Sequence, residues 1–194
     1  MTPYFSQAGL YLIQVLFGFY ILAVMLRLLF QLVRADFYNP FAQFLVALTN
    51  PPLLPLRRII PPAGGIDLAS VVLLLGLQVL EVYLLAWLQG GRTSVPGVLL
   101  LSAARLIELA VWVYIVAILI RVVLSWVNPY GMSRHPVGDL LYSLTEPMLA
   151  PARRLIPSLG GLDISPIAVF VLLQLTLILI VRPLEDAGIA LMLG

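Results

Sequence analysis

The stretch LTEPMLAPARRLIPSLGGLDISP, Leu144 to Pro166, stands in a chain that is otherwise mostly apolar, and the chain has already written it once. Ninety-six positions earlier it reads LTNPPLLPLRRIIPPAGGIDLAS, Leu48 to Ser70, and the two copies share twelve of twenty-three residues without a gap. The match extends outward. Asn39-Pro40 pairs with His135-Pro136, Gln78 with Gln174 and, after a two-residue shift, Arg27 with Arg121. Long apolar runs flank each copy, so the repeating unit is span, loop, span.

Crossing ~30 Å of hydrocarbon takes about 20 mainly apolar helical residues. Four stretches qualify: Gly9–Val33, Ile66–Leu88, Val98–Val127 and Leu162–Val181. With 62% hydrophobic and 10% charged residues and a mean hydropathy of +1.08, the chain lies far outside the soluble range of roughly 45–50% apolar and about 25% charged. The expected fold is an all-α integral membrane domain with four transmembrane helices. An even number of spans per repeat returns the chain to its starting side, so the two span-loop-span repeats run parallel about a pseudo-two-fold along the membrane normal. Repeat 1 is expected over 9–88, a middle loop over 89–97, repeat 2 over 98–182 and a short tail over 183–194. The N-terminus lacks a basic region and a short cleavage site before its apolar run, and reads as a retained first span.

Within the loops, Phe41, Phe44, Leu45 and Leu48, and in the second copy Val137, Leu140, Leu141 and Leu144, fall at helical spacing. Proline at the first position suits a helix start, since its missing N–H has no intrahelical partner there, and Asn39 and His135 then sit at or near the N-cap. Each loop is expected to hold a short amphipathic helix, interfacial or re-entrant. Pro51, Pro55 and Pro61, with Pro147, Pro151 and Pro157, are expected to interrupt any continuous helix, because each removes a donor and clashes with the preceding turn. Gly64-Gly65 and Gly160-Gly161 supply a sharp turn. Asp67 and Asp163 can then cap the next span, with Ser165-Pro166 offering a rival start two residues later.

All eleven basic side chains are arginines, scattered in ones and twos, so no Lys/Arg tract points to nucleic acid. The absence of cysteine excludes disulfides, thiolate nucleophiles and cysteine-ligated metals, and one histidine makes a poor metal site, so no cofactor is expected. Arg34, Arg57, Arg58, Arg134, Arg153 and Arg154 lie in the repeated loops, against Arg92 alone in the middle loop and none at the N-terminus. The positive-inside rule therefore predicts cytoplasmic loops and both termini on the outer, periplasmic side of a bacterial inner membrane.

At these residues the chain resembles a known family. The pattern R-x3-S-W at Arg121, Ser125 and Trp126, followed by T-E-P-x-L-x-P-x-R-R-x-I-P-x-x-G-G-x-D-x-S-P, is similar to that of the YggT family of bacterial and plastid membrane proteins. The first copy departs from it: Gln31-Leu32 stand for Ser-Trp, Asn50 for Glu146, and Ala69-Ser70 for Ser165-Pro166. The resemblance implies a small integral membrane protein, in a family linked variously to osmotic or cation tolerance, to assembly factors in plastids and to cell division. It implies no catalytic residues.

Three groups of side chains carry possible chemistry. Arg57, Arg58, Arg153 and Arg154 either anchor the loops by snorkelling or bind an anionic lipid or protein partner, since arginine grips phosphate in a bidentate manner. Arg27 and Arg121 lie about two turns inside their spans, where an unpaired charge costs a few kcal/mol. Asp67 and Asp163 begin the following helices on the same side, so Arg27–Asp67 and Arg121–Asp163 are the expected ion pairs, with an ion or substrate site as the alternative. Glu81 and Arg105 reach similar depth from the opposite side, and Glu108, at i+3 from Arg105, can join them. This cluster is absent from the second half, where Leu177 replaces Glu81. It reads either as an ion pair joining the halves or as a proton or cation path. Ser125 has no accompanying His and Asp, and Gln78 and Gln174 are expected to hydrogen-bond between helices.

The expected function is that of a non-enzymatic membrane scaffold or assembly factor whose basic, Pro-rich loops form a platform for lipid or a membrane-protein partner. Homo-oligomers or a larger complex would suit a chain with so little soluble domain. The alternative is an ion or small-solute conductor using Glu81, Arg105 and Glu108.

Overall fold

The computed structural model describes residues 3–91, 93–127, 136–156 and 163–193. The roles expected of Arg92, Arg134, His135, Pro157 and Gly160-Gly161 lie outside the described residues. The chain is helical: α1 (Pro3–Leu32), α2 (Pro40–Ile59), α3 (Leu68–Leu88), α4 (Val95–Val127), α5 (Pro136–Leu155), α6 (Ser165–Thr176) and α7 (Arg182–Leu193), with one π-helical turn, Leu177–Val181, joining the last two. Four of these units are long and apolar enough to cross a membrane: α1, α3, α4 and the composite helix Ser165–Met192. The protein is an integral membrane protein of two span-loop-span repeats. The segment expected as a tail, 183–194, is helical through Leu193 and continues the fourth span.

The loop helices differ most from expectation. Both are 20 residues long, and α2 runs through Pro51, Pro52 and Pro55 as α5 runs through Pro147 and Pro151. The expected interruption at Pro51, Pro55, Pro147 and Pro151 does not occur. A proline within a helix orphans the carbonyl four residues earlier, and neighbouring side chains can satisfy it. For Pro52 that carbonyl belongs to Leu48, and the Tyr20 hydroxyl of α1 donates to it at 3.4 Å. Only at Ile60, whose extended backbone (φ −113°, ψ 100°) precedes Pro61, does α2 end. Its N-terminus is as expected: Asn39 Oδ1 accepts from the Phe41 N–H at 2.9 Å, with proline at the first position.

The buried faces are Ala42, Leu45, Thr49 and Leu53 in α2 and Leu140, Leu144, Thr145 and Leu149 in α5. Phe41 and Phe44, expected on the apolar stripe, are exposed. The central core draws on both repeats, with Ile21, Val24, Met25, Leu28 and Phe30 of α1 packed among Leu45, Leu74, Val113, Ala117, Leu140 and Leu144. A second cluster, Val111, Ile118, Leu149, Val169, Leu173, Leu177 and Val181, belongs to the second repeat. The halves are also stitched at the loops, where buried Asn39 donates from Nδ2 to the Pro136 carbonyl at 2.6 Å. At the other end α7 lies close against the start of α4. Gly97 faces the Met192 backbone and Gly188 faces Leu101, so closely that a Cβ on Gly97 would fall 2.4 Å from Met192 N.

Candidate functional site

The polar side chains gather in two places: a belt where the loop helices meet the spans, and a cavity near the opposite end. In the first half of the belt, Gly64 and Gly65 adopt left-handed backbones (φ 60° and 82°) that fold the chain back on itself. Ala63 and Ile66 exchange backbone hydrogen bonds across this turn at 3.1 and 3.0 Å. The turn sets the last turn of α2 beside the start of α3. Arg57 therefore grips Asp67 from Nε at 3.1 Å and from Nη2, while the Ser70 hydroxyl donates to the same Oδ2. Burial pushes the Asp67 carboxyl up, but the hydrogen bonds from Arg57 and Ser70 and the Arg57 charge outweigh it and hold it below its ordinary range. Asp67 occupies the N-cap position of α3 without a side-chain cap to the helix. Its carboxylate serves the arginine instead.

Arg27, only 4% exposed, donates from Nη1 to Thr49 Oγ1 at 2.6 Å and to the Val46 carbonyl at 3.4 Å. The expected Arg27–Asp67 pair does not form. Reasoning from depth along straight spans misses that α2, uninterrupted, brings Thr49 and Arg57 between them.

The second half corrects the Arg121–Asp163 pairing in the same way. Arg121 Nη1 donates to Thr145 Oγ1 at 2.7 Å and Nη2 to Glu146 Oε2 at 2.7 Å, with its guanidinium 4.5 Å from the centre of the Tyr142 ring. Arg153 Nη1 takes the other oxygen, Glu146 Oε1, at 2.8 Å, and its Nε holds Asp163 Oδ2 at 2.8 Å. Asp163 Oδ1 in turn accepts from the Ser165 N–H at 2.9 Å and from its hydroxyl, at the start of α6. For Asp163, burial again pushes the carboxyl up, and the Ser165 and Arg153 hydrogen bonds overcome it and lower it. Glu146 is the residue that sequence reasoning passes over. It stands in the repeated motif and differs from its twin, Asn50, which is the available signal.

Of the four loop arginines, Arg57 and Arg153 thus turn inward onto carboxylates. Arg58 and Arg154 form no ion pair among the described residues, and Arg154 is exposed. Ser125 and Trp126 are exposed at the end of α4.

Near the opposite end, Glu81, Arg105 and Glu108 line one cavity of about 270 Å³ with Gly18, Ile21, Gln78, Leu109 and Trp112. Glu81 is 8% exposed, and Gln78 donates to its Oε2 at 2.7 Å, while the expected ion pair between Glu81 and Arg105 does not form among the described residues. The Gln78 bond is therefore within α3, not between helices, and Gln174 lies on an exposed face. Trp112 Nε1 donates to Glu108 at 3.3 Å. Glu185 of α7 lies close enough to feel the charges of Glu108 and Arg105. Sequence reading misses it because 183–194 lies past the apolar run and reads as a tail. No cluster of three or more His, Cys, Asp or Glu able to hold a metal occurs among the described residues.

The doubled belt of arginines, threonines and carboxylates coincides with what comparison finds. The CCB3/YggT family model matches twice, over residues 6–88 and 100–184. The chain belongs to the CCB3/YggT family. A Pseudomonas aeruginosa protein is 45% identical over 181 residues, covering 92% of this chain and 91% of the relative. The Escherichia coli (strain K12) protein YggT is 32% identical over 193 residues, covering 95% of each. An Arabidopsis thaliana relative, the chloroplastic protein CCB3, is named for cofactor assembly of complex C; it is 34% identical over 65 residues, covering 34% of this chain and 37% of that one. No solved structure matches.

Proposed function

We propose that the protein is a non-enzymatic scaffold or assembly factor of the bacterial inner membrane, whose paired loop helices present a platform to a membrane-protein partner. The observation that carries this reading is the fastening of the loops. α2 and α5 meet through Asn39 and Pro136, and each is tied to its spans by an arginine clasp, so they form a fixed surface. Along and beside the two loop helices Tyr38, Phe44, Ile59, Leu155 and Arg154 stay exposed, the apolar and arginine chemistry that a docking partner would use. Cofactor assembly in the name of the plastid relative supports the same class of role. The arginine bias puts this face in the cytoplasm, where an anionic leaflet or an acidic partner would meet Arg58 and Arg154. A homo-oligomer or larger complex follows from the same face. The test is copurification from membranes with one stoichiometric partner, released by Arg58→Ala with Arg154→Ala. A partner that ignores the double variant removes the platform.

The polar cavity supports a second reading, an ion or small-solute conductor built on Glu81, Arg105 and Glu108. Against it, the layer between this cavity and the loops is apolar, with Val24, Met25, Leu74, Val113 and Ala117 all buried. Cation flux into proteoliposomes that disappears with Glu81→Gln would put this reading first.

A further inference from the structure

In the second half, one carboxylate occupies the space between two arginines: Glu146 takes Arg121 Nη2 on Oε2 at 2.7 Å and Arg153 Nη1 on Oε1 at 2.8 Å. The first half sets the same two arginines in the same posture. Arg27 Nη1 holds Thr49 Oγ1 as Arg121 Nη1 holds Thr145 Oγ1, at 2.6 and 2.7 Å. Arg57 Nε holds Asp67 as Arg153 Nε holds Asp163, at 3.1 and 2.8 Å. Where Glu146 would stand, the chain has Asn50. Among the described residues, Arg27 Nη2 and Arg57 Nη1 donate to nothing, and the Asn50 side chain makes no hydrogen bond. The second half balances two guanidiniums with two carboxylates. The first leaves two guanidiniums, within electrostatic reach of each other, to Asp67 alone. Arg27, at 4% exposure, is buried with that imbalance.

We propose that the first repeat binds a phosphate group between Arg27 and Arg57, at the place the Glu146 carboxylate fills in the second repeat. The vacant donors, Arg27 Nη2 and Arg57 Nη1, are the counterparts of those that hold two oxygens of one planar group in the second half, and a phosphate offers two such oxygens. Asn50 permits the anion where a glutamate would repel it. Its carboxamide also adds a neutral donor at the rim. The depth suits a headgroup: Arg27 lies five residues from the end of α1, or ~7 Å at ~1.5 Å per residue, and Arg57 is in the last turn of α2. This site is separate from the Arg58–Arg154 face and does not depend on the scaffold reading.

The experiment uses the full chain in maltoside detergent, titrated in one arm with inorganic phosphate and in the other with phosphatidylglycerol mixed into the micelles. Melting temperature and native mass spectrometry give the readout. The wild type is expected to bind one anion with a saturable rise in Tm. Asn50→Glu fills the site with its own carboxylate and should weaken that response at least tenfold, whereas Asn50→Gln should keep it. Glu146→Asn should gain a second bound anion, because it creates the same vacancy in the other half. A response in both arms assigns the free oxyanion, and a response to the lipid alone assigns the headgroup. Equal responses from the wild type and Asn50→Glu, or no bound anion in the wild type, overturn the proposal. Should Asn50→Glu not assemble, Glu146→Asn decides by itself: one added anion supports the site and an unchanged count sinks it.

Discussion

The two repeats hold the same arginines, threonines and aspartates in the same order, yet connect them differently. In the first, Arg27–Thr49 and Arg57–Asp67–Ser70 are separate clasps. In the second, Glu146 fuses them into one run from Arg121 through Arg153 and Asp163 to Ser165. Exposure differs as well: the Asp67 side chain is 3% exposed and that of Asp163 47%. A duplicated frame has thus kept its positive charges and let the negative ones diverge. The first half concentrates its electrostatics in one pair whose carboxylate is buried. The second spreads them over a longer, wetter network.

The harshest way to break this contrast is Glu146→Ala, which strands Arg121 and frees Arg153. Removing one partner of a largely buried pair costs about 3 kcal/mol, while Asn50→Ala should stay within ~0.5 kcal/mol, as at ordinary unbonded positions. Unfolding in detergent measures both, and equal losses would mean that the fused network holds nothing together.

Next in size is the aspartate pair. Asp67→Asn leaves the Arg57 guanidinium facing a neutral amide in a buried setting and should cost about 2 kcal/mol. Asp163→Asn, half in solvent, should cost under ~1 kcal/mol. The ranking sharpens if Ser70→Ala weakens the protein more than Ser165→Ala does, and it collapses if the order reverses.

Glycine gives a contrast of opposite sign at the spans. Gly97 in the second half has no room for a methyl group, whereas Gly76 in the first has nothing within 4 Å. Gly97→Ala is therefore expected to destabilise by ~1–3 kcal/mol through overpacking. Gly76→Ala should stabilise by about 0.5–1 kcal/mol by restoring helix preference. Melting temperatures moving in the same direction would contradict the packing described for α4 and α7.

The smallest effect is on acidification. Asp67 and Asp163 are both held below the ordinary carboxylate range. A carboxyl depressed on folding stabilises above its unfolded pKa of about 4, and that contribution drains away as pH falls through the lower folded value. Stability should be flat from neutral pH down to about 5 and fall below about 4. The slope should shrink more in Asp67→Asn than in Asp163→Asn.

Much of this architecture is legible in the sequence. The four spans, the doubled loop, the Asn39-Pro40 helix start and the convergence of Glu81, Arg105 and Glu108 on one cavity follow from hydrophobic length, repeat register and depth counting. The ion pairs do not, for a physical reason. Depth counting places Arg27 level with Asp67, but it cannot see that α2 continues through Pro51, Pro52 and Pro55. That continuation delivers Arg57 to Asp67 first. Proline rules describe a helix alone, whereas here both loop helices pack on the spans, and at Pro52 a tyrosine of another helix takes up the orphaned carbonyl. Glu185 escapes because its helix lies beyond the hydrophobic run that defines a span, although Gly188 hints at a close approach.

The π-helical turn at Leu177–Val181 begins where the second repeat replaces Glu81 with leucine. Such a turn accommodates one residue more than an α-helical path, so it acts as a phase shifter. Removing one residue within it would rewind the segment as α-helix and leave the azimuth beyond almost unchanged, because five residues of π-helix cover about the angle that four cover in an α-helix. With all five residues kept and wound as α-helix, everything beyond would instead turn by about 100° and Gly188 would swing off Leu101. The wide turn therefore keeps the azimuth at which the last helix meets the fourth while the sequence gains a residue, and the offset of 96 that aligns the repeats loses its geometric meaning from there on.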